Sequence, residues 1–387
     1  MALVAAALSS ANPAVAQCAT GVPDDRTIVT CTIVIESGRE SDHNLAIDFA
    51  IRANAYRARG ELYRAIADYD ETIRLNPTDA NALKNRGNVY FERKDYDHAI
   101  ADYDAAIRLD PKFAFAFNNR GNAYKAKGDL NRAIADYDAA IRLDPNGAFS
   151  FNGRGTAYQA KGDFDRAIAD YSLALRLDPK YSEAFNNRGY AYLLKGDFAR
   201  AIADCDEAVR LDPTLATAFN TRGSAFHAIG DVDRAIANYD EAIRLDPKYV
   251  KAFDNRGYAY LVKDDFDRTI TDSSEAIRLD SGDAAAFKNR GYAYLLKLNP
   301  DRAVADFNDS IQLDPNDAVA FNGRGGAYYA MRDLDHAIAD YDAAIRLDPN
   351  YAAALYWRGK VKQLKGDNSG GDADITAAKK IDPKIGS

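Results

Sequence analysis

An arginine-glycine pair recurs along this chain at Gly87, Gly121, Gly155, Gly189, Gly223, Gly257, Gly291, Gly325 and Gly359, each 34 residues from the last. A fixed period of that size marks a supersecondary unit that is too small to bury its own apolar face and must stack against copies of itself. A chain of 387 residues would ordinarily suggest two or three globular domains. Stacking removes the need for a closed core, so one elongated repeat domain is the expectation here.

The unit is clearest from Phe117 to Pro145, FNNRGNAYKAKGDLNRAIADYDAAIRLDP. Apolar residues at Phe117, Ala123 and Tyr124, and again at Ala133, Ile134, Tyr137, Ala140 and Ile141, keep three- and four-residue spacing. Each half therefore predicts an amphipathic helix. Gly128 suits a left-handed helix end, Asp129 suits the cap of the next helix, and Asp144-Pro145 ends the second helix. Asp138 and Arg142 stand at i, i+4 as a surface pair. Glycine inside a helix costs about 1 kcal/mol relative to alanine, so Gly121 and its equivalents need a steric reason. The expected one is close approach of small residues, with Ala99, Ala133, Ala167, Ala201, Ala235, Ala303 and Ala337 facing the glycines across the hairpin.

Glycine, tyrosine, alanine, aromatic, alanine and proline, in that order once per 34 residues, resemble the tetratricopeptide repeat over most of the chain. Two departures are systematic: phenylalanine (Phe117, Phe151, Phe185) stands where the family commonly has tryptophan, and arginine (Arg120, Arg154, Arg188) precedes the glycine where leucine is common. The resemblance implies an all-α, right-handed superhelical solenoid of about ten hairpins that binds peptides or proteins on its concave side, which the first helices line.

Charge and composition narrow the function. The net charge is -8 with both signs mixed through every repeat, and nothing in it favours nucleic acid. Three cysteines and four histidines (His43, His98, His227, His336) lack ligand spacing, so no metal or other cofactor is expected. No nucleophile elbow or phosphate loop occurs, and no non-repeat stretch is long enough for a catalytic domain. The aspartates Asp68, Asp102, Asp136, Asp170, Asp204, Asp272, Asp306 and Asp340 recur opposite Arg86, Arg120 and Arg154 and their successors. Such repetition predicts a structural ladder of ion pairs, since a reaction needs one constellation.

Residues 1–16, MALVAAALSSANPAVA, form an apolar run ending in Ala14-Val15-Ala16, in the manner of a secretory signal. No lysine or arginine precedes the run, which leaves a late start or a frayed N-terminal helix as alternatives. The run is too short, and too interrupted by Pro13, for a permanent membrane span. Export, to a periplasm-like compartment, would expose Cys18 and Cys31 to oxidation, and a disulfide between them is expected; a cytoplasmic protein would keep two thiols. Residues 17–45 are expected to form an N-terminal cap. Within it Thr27–Ile35 has strand propensity, yet Asp25-Arg26-Thr27-Ile28 matches the opening of the second helices, so half-repeat helix and strand both stand. Nine repeats are expected over 46–351 and an altered capping repeat over 352–387. The repeat at 250–283 is the weakest, with Thr269, Ser273 and Ser281 at its alanine, aromatic and proline positions.

Two patches on the first helices are candidates for partner binding. Lys84, Asn85, Asn88, Asn118, Asn119, Asn122 and Lys125 make a polar, weakly basic surface suited to a carboxylate or an extended backbone. Lys84, Asn88 and Asn119 match part of the carboxylate clamp of some family members, while Phe149 and Gly153 stand where that clamp needs lysine and arginine. Tyr190 with Leu193, Tyr258 with Leu261, and Tyr292 with Leu295, joined by Tyr328 and Tyr329, make an apolar row that either binds a hydrophobic peptide or seals neighbouring repeats. The expected function is a non-enzymatic scaffold holding a protein or peptide. The alternative is a self-associating assembly protein of the cell envelope, and the oligomeric state is open.

Overall fold

The computed structural model describes Cys18 and residues 25–386; the leader-like stretch 1–16 lies outside the described residues. All regular structure among them is α-helix, in two compact units, residues 1–191 and 192–387. In the first unit, Asp25–Glu36 is followed by the helix pairs Asp42–Ala58 with Leu62–Leu75, Ala80–Glu92 with Tyr96–Leu109, Ala114–Ala126 with Leu130–Leu143, and Ala148–Ala160 with Phe164–Leu177. Helix Ser182–Leu194 contains the division. The second unit continues with Phe198–Leu211 and then pairs Ala216–Ala228 with Val232–Leu245, Val250–Val262 with Phe266–Leu279, Ala284–Leu296 with Pro300–Leu313, Ala318–Ala330 with Leu334–Leu347, and Ala352–Leu364 with Asn368–Ile381. No described helix is long and apolar enough to cross a membrane.

Local chemistry sets the helix boundaries. Gly128 takes φ +82°, reversing the chain, and the Asp129 carboxylate accepts from the Arg132 backbone N–H at 3.0 Å as the cap of the following helix. At four equivalent turns the left-handed residue is not glycine but Lys94, Asp264, Leu298 or Arg332.

In most second helices an aromatic fills the hairpin. Tyr69, Tyr103, Tyr137, Tyr171, Phe307 and Tyr341 are fully buried. A Cβ on Gly87 would stand 2.7 Å from the Tyr103 ring, and one on Gly155 2.7 Å from Tyr171. The expected approach of alanine to glycine is seen where a Cβ on Gly223 would lie 3.2 Å from the Ala235 carbonyl oxygen, but the missing Cβ chiefly makes room for a ring. The ring also reaches the next hairpin, since a Cβ on Gly153 would come 2.5 Å from Tyr137.

Successive hairpins are clasped by arginine. Arg86 holds Asp102 of its own hairpin through Nε and Nη2, at 2.8 and 2.6 Å, and reaches back through Nη1 to Asp70 of the preceding hairpin at 2.6 Å. Arg154 does the same with Asp170 and Asp138, and Arg256 with Asp272 and Asp240. The intra-repeat ladder is thus present and extends one repeat further than expected. Asp138 is accordingly engaged by Arg154, not by Arg142. The hydrogen bond to the inner aspartate is the main reason Arg86, Arg120 and Arg154 stay charged well above the ordinary guanidinium range.

Within each unit most first helices of neighbouring hairpins touch, as Ala80–Glu92 touches Ala114–Ala126 and the latter touches Ala148–Ala160, whereas each second helix packs on the first helix of its own hairpin and on the following first helix. The first helices therefore form the inner side of each stack. At the N-terminus Thr27–Ile35 lies within a helix. Its Thr27 and Cys31 are buried while Val29 is 57% exposed, so packing on Asp42–Ala58 overrides β-propensity. Cys18 and Cys31 are joined, with Cα atoms 4.7 Å apart, and the Cys18 N–H donates to Asp48 Oδ1 at 3.0 Å.

In the repeat at 250–283 the ring is gone, and Ser273 Oγ is buried without a hydrogen-bond partner among the described residues. Amide exchange in Phe266–Leu279 should therefore run faster than in Val232–Leu245 or Pro300–Leu313; equal protection in all three would contradict this account. Leu298 offers a second check. A left-handed conformation costs a branched residue roughly 1–2 kcal/mol, and glycine returns about half of that through the entropy of the unfolded chain. Because Leu298 is 87% exposed and gives up little burial, Leu298→Gly should stabilise the protein by about 0.5–1 kcal/mol in denaturant titration.

Candidate functional site

The inner side of the first unit holds a hollow of 600 Å³ between Ala114–Ala126, Ala148–Ala160 and the start of the next first helix. Asn118, Asn119, Asn122 and Lys125 line it together with Phe115, Phe149, Asn152 and Tyr181. A smaller hollow of 340 Å³ lies beside it, lined by Arg57, Asn88, Phe91, Glu92, Tyr103, Asn119 and Asn122. Five of the polar candidates are therefore gathered at two adjoining depressions, while Lys84 and Asn85, both half-buried, line neither.

Hydrogen bonding sorts these residues by what they have left to offer. Asn88 Oδ1 accepts from the Tyr103 hydroxyl and from Asn119 Nδ2, both at 2.8 Å, and Asn122 Oδ1 accepts from the Tyr137 hydroxyl at 2.7 Å. These oxygens serve the buried tyrosines and so hold the stack together. Asn118 Oδ1 accepts from Ser150 Oγ at 3.2 Å. Lys125 Nζ donates to Thr156 Oγ1 at 2.7 Å, and no carboxylate pairs with it among the described residues. Burial accordingly holds the Lys125 ammonium below the usual lysine range. Burial does the same to Lys84, reinforced by Arg57, and its ammonium lies 5.9 Å from the Phe113 ring centroid.

Three residues of the larger hollow escaped sequence reasoning. Phe115 and Phe149 are 61% and 60% exposed, and Tyr181 meets Phe149 edge-on at 5.2 Å while its hydroxyl accepts from Asn152 Nδ2 at 3.1 Å. Burial pushes Tyr181 up to about 12. The available signal was register: Phe115 and Phe149 occupy the position that holds Glu183, Thr217 and Lys251 in other repeats, a position left largely exposed, where phenylalanine is out of place unless something covers it.

The apolar row is divided in character. Tyr190 is 41% exposed and Tyr258 47% exposed, the latter 5.3 Å from His227. Leu193 and Leu261 are half-buried. Tyr292, by contrast, is turned into the next hairpin: its hydroxyl donates to the Val319 carbonyl at 2.8 Å and its ring meets Phe307 edge-on at 5.0 Å. Leu295 packs beside it against Phe307 and Ala327. Tyr328 packs with Tyr341 and His336 between the two helices of its own hairpin, whereas Tyr329 lies 5.8 Å from Trp357. Tyr292, Leu295 and Tyr328 thus serve packing.

Asp254 stands where five other first helices have Asn118, Asn152, Asn186, Asn220 and Asn322. It is only 6% exposed, accepts from Asn289 Nδ2 at 3.0 Å, and has Lys251 at 3.6 Å. Burial, with Asp283 adding to it, pushes its carboxyl up to about 6. An aspartate in the unfolded chain titrates near 3.9, so the folded state binds the proton more tightly and ionisation of Asp254 destabilises it. Asp254→Asn should therefore be the more stable protein above pH 6, by an amount on the order of 1–3 kcal/mol. Melting curves of the two proteins should converge as pH falls towards 4, and a constant difference across that range would contradict the assignment.

Comparison with known proteins accords with the helical-hairpin geometry. Tetratricopeptide repeat models match residues 53–93, 87–128, 121–162, 223–263 and 327–366 in one description and 152–216 in another, together well over half of the chain. No curated protein sequence matches. Among solved structures, a tetratricopeptide repeat protein from Parabacteroides merdae superposes with a TM-score of 0.51 at 20% identity, over 64% of this chain and 98% of that one. A chain of the APC/C hetero-tetramer Cut9–Hcn1 superposes with a TM-score of 0.58 at 14% identity, over 92% of this chain and 90% of that one. At such identities the likeness speaks for the fold alone. On the repeat matches and the hairpins they fall upon, this chain belongs to the tetratricopeptide repeat family.

Proposed function

We propose that the protein is a non-enzymatic scaffold that holds a partner protein or peptide along the inner side of its first helices. The observation that supports this most directly is the 600 Å³ hollow with Phe115 and Phe149 left open on it, because apolar side chains gathered at a concavity gain free energy only when something covers them. Periodic groups are engaged with neighbouring hairpins, so the residues left to choose a partner are those that break the period, such as Phe115, Phe149, Lys125 and Tyr258. Proteins of this family are typically scaffolds of this kind, and no partner of nucleic acid is part of the reading.

The Cys18–Cys31 link and the leader-like residues 1–16 together favour an exported protein working in an oxidising, periplasm-like compartment. Self-association as an envelope assembly protein is the competing reading. A photo-crosslinking residue placed singly at Phe115, Phe149 and Tyr258, with Tyr63 (75% exposed) as the outer-face control, separates the two in native envelope fractions. Crosslinks from the three inner positions to one foreign polypeptide, absent from Tyr63, are expected. Crosslinks only to a second copy, with mass growing with concentration in light scattering, would favour assembly instead.

A further inference from the structure

The larger hollow has two electrically different ends. Lys125 sits at the C-terminal end of Ala114–Ala126, a half-buried ammonium bonded to one hydroxyl and paired with no carboxylate among the described residues. Asp144 and Asp178, which line the same hollow, sit just before the N-termini of the two following first helices. Each accepts a backbone N–H, from Asn146 at 3.1 Å and from Lys180 at 2.9 Å, and neither has an ion-pair partner among the described residues. Phe115 and Phe149 occupy the second position of their helices and so lie at the acidic end. From Ala114 to Lys125 the helix rises about 16 Å, the length of about five residues of extended chain.

A half-buried ammonium without a counter-ion costs free energy that a facing carboxylate offsets, and the two acids gain from a facing cation in the same way. We propose that this hollow takes an extended peptide segment about five residues long, with a carboxylate at the Lys125 end and, at the Asp144–Asp178 end, a cationic side chain next to an aromatic one that covers Phe115 and Phe149. The inference rests on the groove-binding reading above and gives it a ligand class: a segment with opposite charges at its two ends, in place of a generally acidic or generally apolar one.

The test uses the full chain and unlabelled capped peptides in calorimetric titration at low salt. The probes are Lys-Phe-Ala-Ala-Glu, its reverse Glu-Ala-Ala-Phe-Lys, and versions with glutamine replacing either or both charged residues. One of the two charged orders should bind about tenfold or more tighter than its uncharged version. Lys125→Met should remove the advantage contributed by glutamate and leave that of lysine, and the double change Asp144→Asn, Asp178→Asn should do the converse. Met at position 125 relieves a desolvated charge, and Thr156 Oγ1 keeps its bond to the Gly153 carbonyl at 2.7 Å, so the melting temperature should hold or rise while capture weakens. A structural role for Lys125 would instead lower the melting temperature and leave the glutamate advantage intact. Charge-independent binding, or no binding by any probe, overturns the inference. If crosslinks at Phe115 and Phe149 to a foreign polypeptide persist in that event, groove binding stands without this ligand class; if they are missing too, both readings fall.

Discussion

Most hairpins depend on one buried ring set into the space left by a glycine. At Tyr137 the ring has the missing Cβ of Gly121 on one side and that of Gly153, in the next hairpin, on the other. Its hydroxyl finds Asn122. The same side chain therefore fixes how closely two helices of a hairpin approach and where the following hairpin sits. A glycine in mid-helix costs about 1 kcal/mol, while burying an aromatic side chain contributes roughly 1.5–3 kcal/mol, so the exchange favours the glycine wherever the ring is present. Where serine replaces the ring, at Ser273, Gly257 bears the cost without the gain.

The arginine clasp adds direction to that packing. Because Arg86 bridges Asp102 and Asp70, each guanidinium is satisfied only when its own hairpin and the preceding one are both in place. The inner aspartates are nearly buried, and stripping one partner from such a pair costs about 3–5 kcal/mol through the charge left behind. Replacing the set by apolar residues need not cost anything, so its contribution is to register, holding hairpins in step along each unit. Asn238 shows the tolerance of the device, since Arg222 Nε binds its Oδ1 at 2.7 Å in place of a carboxylate.

Much of this was legible in the chain itself. A 34-residue period fixes helix lengths, caps and the order of hairpins, because each follows from residues close in sequence. What the period hides is which of several equally spaced residues meet. Alanine and tyrosine recur four apart in most second helices, so Ala133 and Tyr137 were equally regular candidates to face Gly121, and only the packing of side-chain volumes shows that the ring takes the space of the missing Cβ. Asp138 had both Arg142 and Arg154 within reach of a pattern, and the second requires knowing how hairpins stack. Asparagines on the inner side were misleading in the same way. Asn88 and Asn122 read as exposed polar groups facing a groove, yet each accepts the hydroxyl of a tyrosine buried in the next helix. Tyr292 likewise shares the register of the exposed Tyr258 but is covered, because Gly323 leaves room for it beside Phe307.

The division between spent and unspent side chains bears on how a partner would be held. Covering the remaining exposed surface of Phe115 and Phe149 contributes around half of a full aromatic burial each, about 1–1.5 kcal/mol. Ordering a short peptide costs several kcal/mol. Two open rings alone would therefore hold a segment only transiently, and a groove built from repeats gains affinity by engaging several such sites on one chain. The features that break the period are arranged accordingly: Phe115, Phe149 and Lys125 fall on adjacent hairpins of the first unit, and Tyr258 with His227 on adjacent hairpins of the second. A partner long enough to reach several of these would bind by their sum, with each contact weak enough to release. That behaviour follows from the architecture, because the periodic rings and arginines are taken up by contacts between neighbouring hairpins, and the residues that break the period are left for a partner.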